Sequence, residues 1–168
     1  MKDIVILKLE TKHISEAAKL IIPLHKLMVK ERKDIFMPKE ENWEEYLATK
    51  LQDNDWIMLV AVSEDKVIGV CTAEIKHCGD DIETRVRDIM FIDYIAVNEK
   101  YKRCGVGTKL LDEIKSFAKI RNVQTVELNV WGFNESAIKF YEKNNMKQKR
   151  VIYEYLIDKE NELWNQDL

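Results

Sequence analysis

A mixed α/β fold is what this sequence predicts, and three observations carry the prediction. One strand-like run opens the chain and two helical stretches follow it. Two apolar runs then flank a short polar turn, as in a hairpin. The second half alternates strand, helix, strand, helix, strand. The expected order is therefore β-α-α-β-β-β-α-β-α-β, a mixed sheet with helices packed on it. At 168 residues the chain is expected to form one domain over residues 1–158, with a polar tail at 159–168.

Each element has a local reason. The run "IVILKL" (Ile4 to Leu9) reads as a strand. Ser15 offers a helix cap, and Ala17, Ala18, Ile21 and Ile22 follow at helical spacing. Pro23 interrupts that pattern, so a kink or restart is expected there. The stretch "DIFMP" (Asp34 to Pro38) reads as a loop. Trp43, Leu47 and Leu51 recur every four residues and predict a second helix. "WIMLVAVS" (Trp56 to Ser63) and "VIGVCTAEI" (Val67 to Ile75) flank Glu64-Asp65-Lys66, a hairpin signal. "IMFIDYIAV" (Ile89 to Val97) is nearly all apolar, as for a central strand covered on both faces. After Gly105 the period changes: Val106, Leu110, Leu111, Ile114, Phe117 and Ala118 share one helix face. "TVELNVW" (Thr125 to Trp131) alternates as a strand does. Asn134 can cap a helix reaching about Lys143, and "RVIYEYLI" (Arg150 to Ile157) reads as a last strand.

Composition narrows the class. The chain is 46% hydrophobic and 34% charged, with a net charge of −3, ordinary values for a soluble globular protein. Both charge signs are scattered, which argues against a nucleic-acid scaffold; Lys147, Lys149 and Arg150 read as a solvated face. No secretory leader is apparent at the start, and no run approaches the ~20 apolar residues of a membrane span. Cys71, Cys78 and Cys104 are odd in number and lack Cys-x-x-Cys spacing, so free thiols in a reducing cytoplasm are expected. Cys71, His77 and Cys78 match no zinc pattern, and no metal is expected.

The informative stretch is "KRCGVGTK", Lys102 to Lys109, which spends two of five glycines within three residues. It joins a buried strand to an amphipathic helix. The first turn of a helix exposes backbone N–H groups that bind anions, and glycine permits both positive φ and close approach. Lys102, Arg103 and Lys109 add positive charge. The reading is a phosphate site, with an ordinary glycine-assisted helix start as the alternative. A P-loop fails because no glycine stands five before Gly107, and a dinucleotide fingerprint fails because Leu110 replaces the third glycine.

The unit "IDYIAVNEKYKRCGVGTKLLDEIKSFAKI" resembles the coenzyme-A-binding segment of the GCN5-related N-acetyltransferase family. That family's pattern, [RQ]-x-x-G-x-[GA] between a strand and a long helix, is matched by Lys102 to Gly107 except at Lys102. Farther on, "NVWGFNESAIKFYEKNNMK" resembles the second signature, N-x-x-A-x-x-F-Y, through Asn134, Ala137, Phe140 and Tyr141. The resemblance implies the acyl-CoA N-acyltransferase fold and acetyl-CoA as cosubstrate. It implies that Ile95, Ala96 and Val97 meet the pantetheine arm through their backbone. It implies that the amides of Arg103, Cys104, Gly105, Val106, Gly107 and Thr108, next to Lys102, hold the pyrophosphate. Asn134 would either contact the pantetheine region or cap its own helix. Tyr141, two helical turns on, would protonate the departing thiolate, though a core aromatic beside Phe140 is the alternative. Dimers are common for the fold, and nothing in the sequence fixes one.

The chemistry sets magnitudes. Proton transfer from a tyrosine to a thiolate is uphill by roughly 2 kcal/mol at ordinary pKa values, but a charge-assisted bond still helps. Deprotonating an alkyl ammonium at pH 7 costs about 4.6 kcal/mol. Asp93, in the fourth strand, is the nearest candidate by sequence to meet that cost, as a base, through water or by attracting the cation; a structural ion pair is the alternative. Glu74 and His77 are weaker candidates. Cys104 is misplaced for an acyl intermediate, because the pyrophosphate end of CoA lies far from the acetyl group; direct attack by the amine is what the family resemblance implies. The expected activity is acetyl transfer to a primary amine, of a small molecule or of a peptide. A non-catalytic CoA-binding regulatory module is the alternative. The resemblance places the acceptor side at "ERKDIFMP", "HCGDDIET" and Tyr153 with Tyr155, whose Asp34, Asp80, Asp81 and Glu83 would suit a cationic acceptor or be plain loop acids.

Overall fold

The computed structural model describes residues 3–38, 42–79 and 82–156. Two compact units separate, one of Met1–His25 with Glu40–Asn129 and one of Lys26–Lys39 with Val130–Leu168, and each is taken by itself.

The first unit holds a five-stranded sheet in the order β1-β2-β3-β4-β5. The strands are β1 (Val5–Lys8), β2 (Trp56–Ser63), β3 (Lys66–Cys78), β4 (Arg87–Val97) and β5 (Thr125–Leu128). Neighbours run antiparallel except β4 and β5, which are parallel. The β2–β3 hairpin closes on Glu64 and Asp65 alone, with φ of 50° and 59°. Paired positive φ values give the right-twisted two-residue turn that such hairpins favour. Val67 through Ala73 are all buried, and so are Ile57 through Ala61. The strands covered on both faces are thus β2 and β3. β4, expected in that role, buries only Ile89, Met90 and Ile92, its far half running past the end of β5.

Helix α1 (Ile14–Glu31) contains Pro23 within its length. Its buried stripe, Ile14, Ala17, Ala18, Ile21 and His25, continues on both sides of the proline. Packing of that stripe offsets the ~3 kcal/mol a mid-helix proline costs. Ser15 is not the cap: a short 3-10 turn, Thr11–His13, leads into α1, and the Glu10 N–H donates to His13 Nδ1 at 3.1 Å. Helix α2 (Trp43–Lys50) is capped by Asn42, whose side chain accepts from the Glu45 N–H at 3.1 Å. Helix α3 (Val106–Ile120) lays Val106, Leu110, Leu111, Ile114 and Ala118 on the sheet. Gly69 on β3 permits the close approach, since a Cβ there would lie 2.9 Å from Val106 Cγ1 and 3.1 Å from Leu110 Cδ1.

In the second unit, helix α4 (Glu135–Lys143) ends with Asn145 at φ 62° and the Met146 N–H donating to the Tyr141 carbonyl at 3.0 Å. That is the left-handed stop that closes many helices. The last strand expected at Arg150–Ile157 is not formed over residues 150–156, and Ile157 with the tail lies outside the described residues. Instead Glu154 is held by Arg32 (2.7 Å), which also grips Asp34 (2.7 Å) and lies 5.1 Å from the centroid of the Trp131 ring. Side-chain ion pairs anchor this stretch without any ladder. Among the described residues no helix is long and apolar enough to cross a membrane.

Candidate active site

The site grows from β4. Its parallel pairing with β5 covers only Ile89 to Ile92, opposite Thr125 to Leu128. Beyond Ile92 the strand continues to Val97 with β3 alone beside it. β4 therefore runs five residues past the end of β5, and there its edge at Asp93, Ile95, Ala96 and Val97 on the side away from β3 has no strand partner among the described residues. Unpaired edge groups are ready hydrogen-bonding sites for an extended ligand.

A β-bulge lies where the pairing with β5 ends. Ile92 pairs with Ala73 and Tyr94 with Thr72, so Asp93 is the extra residue. The Thr72 hydroxyl, fully buried, accepts from the Tyr94 N–H at 3.2 Å and stabilises the irregularity. Bulges bend a strand and re-aim a side chain. Here the re-aimed group is Asp93, exposed, whose Oδ2 accepts a hydrogen bond from the Tyr46 hydroxyl. Tyr46 is half-buried, and burial first, then Asp93, push its phenol well above the usual tyrosine range. It stays a donor. No Lys or Arg pairs with Asp93 among the described residues.

The glycine loop follows the carboxyl end of the same strand. Asn98 caps a short turn (Glu99–Tyr101) through the Lys100 N–H at 3.1 Å. The chain then passes Arg103 at φ 62° and Gly105 at φ 82° before α3 begins. The first backbone bond of α3 is from the Lys109 N–H to the Gly105 carbonyl at 3.0 Å, so the amides of Val106, Gly107 and Thr108 have no carbonyl one turn back. Gly105 answers the need for glycine by torsion: a Cβ there meets nothing within 4 Å, but its φ is left-handed. Gly107 lies within the helix and needs no positive φ.

The expected cationic rim is thinner than the sequence suggests. Lys102 pairs with Glu99 at 2.6 Å, and Lys109 donates to the Ile4 carbonyl at 3.3 Å. Arg103 alone of the three has no side-chain partner among the described residues. Cys104 is exposed, its thiol 3.6 Å from the Lys102 carbonyl.

Asn134 and Tyr141 belong to the second unit. Asn134 caps α4, its side chain accepting from the Ala137 N–H at 3.2 Å and from the Ser136 hydroxyl at 3.1 Å. Tyr141 is half-buried, its ring 5.2 Å from that of Phe140 and edge-on to it. Asp34 is taken by Arg32, and Asp80 and Asp81 lie outside the described residues. Glu74 pairs with Lys76 at 3.5 Å and His77 with Asp88 at 2.6 Å, so both weaker candidates have structural partners. Among the described residues no three His, Cys, Asp or Glu side chains gather as a metal site would require. Tyr46 escaped the sequence reading: it matches neither signature, and 47 positions separate it from Asp93.

Residues 24–146 match the model of the acetyltransferase (GNAT) family. The chain belongs to that family. It is similar to an N-alpha-acetyltransferase of Saccharolobus solfataricus, 31% identical over 125 residues, 71% of this chain and 74% of that protein. It is also similar to an N-alpha-acetyltransferase of Sulfurisphaera tokodaii, 39% identical over 67 residues, which are 39% of this chain and only 40% of that protein. Among solved structures, the BH1408 protein of Bacillus halodurans, as a tetramutant, superposes with a TM-score of 0.84 at 26% identity, covering 91% of this chain and 99% of that one. AAC(6')-Iy in complex with the bisubstrate analogue CoA-S-monomethyl-acetylneamine has a TM-score of 0.71 at 14% identity over 92% of this chain and 98% of its own, a likeness of fold. The mixed sheet agrees with the fold read from the sequence.

Proposed function

We propose that this GNAT chain transfers the acetyl group of acetyl-CoA directly to an α-amino group at the N-terminus of a peptide or protein. The stretch of β4 that runs past the end of β5, followed in the chain by the open amides at the start of α3, is the observation that supports the cosubstrate. Crevices at the carboxyl ends of strands, where neighbouring connections diverge, are the usual ligand sites of open α/β sheets. In this reading the backbone of Ile95, Ala96 and Val97 holds the pantetheine arm. The amides of Arg103, Gly105, Val106, Gly107 and Thr108 hold the pyrophosphate with the guanidinium of Arg103 beside them; the Cys104 N–H, expected among them, instead donates to the Tyr101 carbonyl at 3.3 Å, and Lys102 is paired with Glu99. The α-amino acceptor is supported by the names of the two archaeal relatives.

Elementary energetics favour that acceptor over a lysine. An α-amine of pKa about 7.7–8.0 costs only about 1 kcal/mol to deprotonate at pH 7, against about 4.6 kcal/mol for an alkyl amine. A carboxylate suffices for so small a cost. Asp93 draws the ammonium in and takes its proton directly or through water. Acetyl-CoA supplies an activated acetyl thioester; the new C–N bond forms as the C–S bond breaks. The Tyr141 hydroxyl donates a proton to the departing sulfur, and Asn134 fixes the start of the helix that carries it. Three free cysteines are supportive of a reducing compartment, the cytoplasm.

The test is acetyl transfer by the purified protein to a panel of peptides and small amines, read by thiol release and by mass spectrometry of the product. Acetyl on peptide α-amines is the expected result. Acetylation confined to small amines would overturn the acceptor, and thioester binding without consumption would overturn the enzyme.

A further inference from the structure

Tyr46 is the residue whose surroundings the family signatures leave unexplained. Its ring meets three others edge-on, Trp43 at 5.6 Å, Trp56 at 6.2 Å and Tyr94 at 6.2 Å. Trp43 is buried and anchors α2 to the core. Three edge contacts fix the plane of a phenol, and edge-to-face pairs add to simple burial. The hydroxyl then reaches Oδ2 of Asp93, at the bulge where β4 leaves β5. The other oxygen, Oδ1, has no partner among the described residues.

We infer that Tyr46 is a positioning residue for acetyl transfer: it pins one oxygen of Asp93 so that the other is presented to the acceptor's ammonium. This rests on the acetyl-transfer reading above. An unpinned aspartate at an exposed bulge would sample several rotamers and lose alignment, and misalignment is costly in catalysis. The neighbouring rings suit a cation as well. The Lys50 ammonium already sits 4.4 Å from the Trp56 ring centroid and 6.0 Å from that of Tyr46. Among groups that face the phenol, Asp93 and Glu74 are acidic and Lys50 basic, and Tyr94 is the neighbouring phenol.

Tyr46→Phe removes the hydroxyl and keeps the ring. The expected result is a roughly tenfold rise in KM for a peptide acceptor, with the Kd of acetyl-CoA unchanged. Asp93→Asn is expected to lose more, and the double variant no more than Asp93→Asn alone, because the tyrosine acts only through the carboxylate. A second readout is independent of turnover: in tyrosine-labelled protein followed by NMR, Asp93→Asn should bring the Tyr46 phenol to titrate at lower pH. Wild-type activity with Tyr46→Phe indistinguishable from it, or losses that add in the double variant, would overturn the inference alone. A wild-type protein that acetylates no amine, with the phenol still shifting in Asp93→Asn, would instead sink the acetyl-transfer reading and the positioning role with it, leaving a structural contact.

Discussion

From Ile89 to Ile92, β4 has a strand on each side; from Asp93 to Val97 it has one. The first half is built like a core, with Ile89, Met90 and Ile92 buried. The second half is only partly buried, starts at a bulge and ends beside a helix whose first amides are open. One strand thus divides its labour. The closed half makes stability, and in the proposed function the open half offers its free edge to acetyl-CoA.

Four variants probe that division, the largest effect first. Met90→Ala empties a fully buried site on the closed half. Unfolding free energy from urea titration should fall by about 2–5 kcal/mol, with acetyl-CoA affinity of the folded protein preserved. Asp93→Asn, at the root of the open half, should lower kcat/KM for the acceptor about 100-fold and leave the urea midpoint nearly unmoved. If the two variants exchanged effects, the division would be wrong. Gly105→Ala meets no atom within 4 Å, so its cost is torsional, about 1–2 kcal/mol for a residue forced left-handed. Calorimetry should find acetyl-CoA bound about tenfold more weakly, since 1.4 kcal/mol is a factor of ten.

The smallest effect belongs to His77, which pairs with Asp88 near the end of the β3–β4 ladder away from Val97. The hydrogen bond that His77 Nδ1–H donates to the Asp88 carboxylate, and that carboxylate's charge, hold the His77 pKa above the ordinary value. A raised value means stability that is fully present below about pH 6.5 and is lost as pH rises through the folded value. The wild-type urea midpoint should therefore exceed that of His77→Gln slightly at about pH 5.5 and match it at about pH 8.5. No such pH dependence should reach acetyl-CoA binding.

Much of this was legible in the chain. Periodicity set α3, whose face from Val106 to Ala118 is the one buried, and Asn134 capped α4 where a cap was expected. The glycine loop declared the helix start because only torsion explains Gly105. Three features were hidden, each for a physical reason. Pro23 sits inside α1 because the buried stripe on either side outweighs a local penalty. The alternation of Arg150 to Leu156 is that of a strand, yet strand signals say nothing about whether a partner edge is available, and Glu154 is fixed by Arg32 instead. The Tyr46–Asp93 contact depends on a one-residue register shift in the β3–β4 ladder, which no local pattern encodes. An acid set between Ile92 and Tyr94 in an apolar run was the one available signal.

The most direct test follows the backbone amides by ¹⁵N–¹H NMR as acetyl-CoA is added. Amides of residues 103–108 and of 93–97 should shift together with one binding constant, while those of 89–92 hold still. Saturation that leaves the start of α3 unmoved, or that moves the closed half of β4 as much as the open half, would contradict the account.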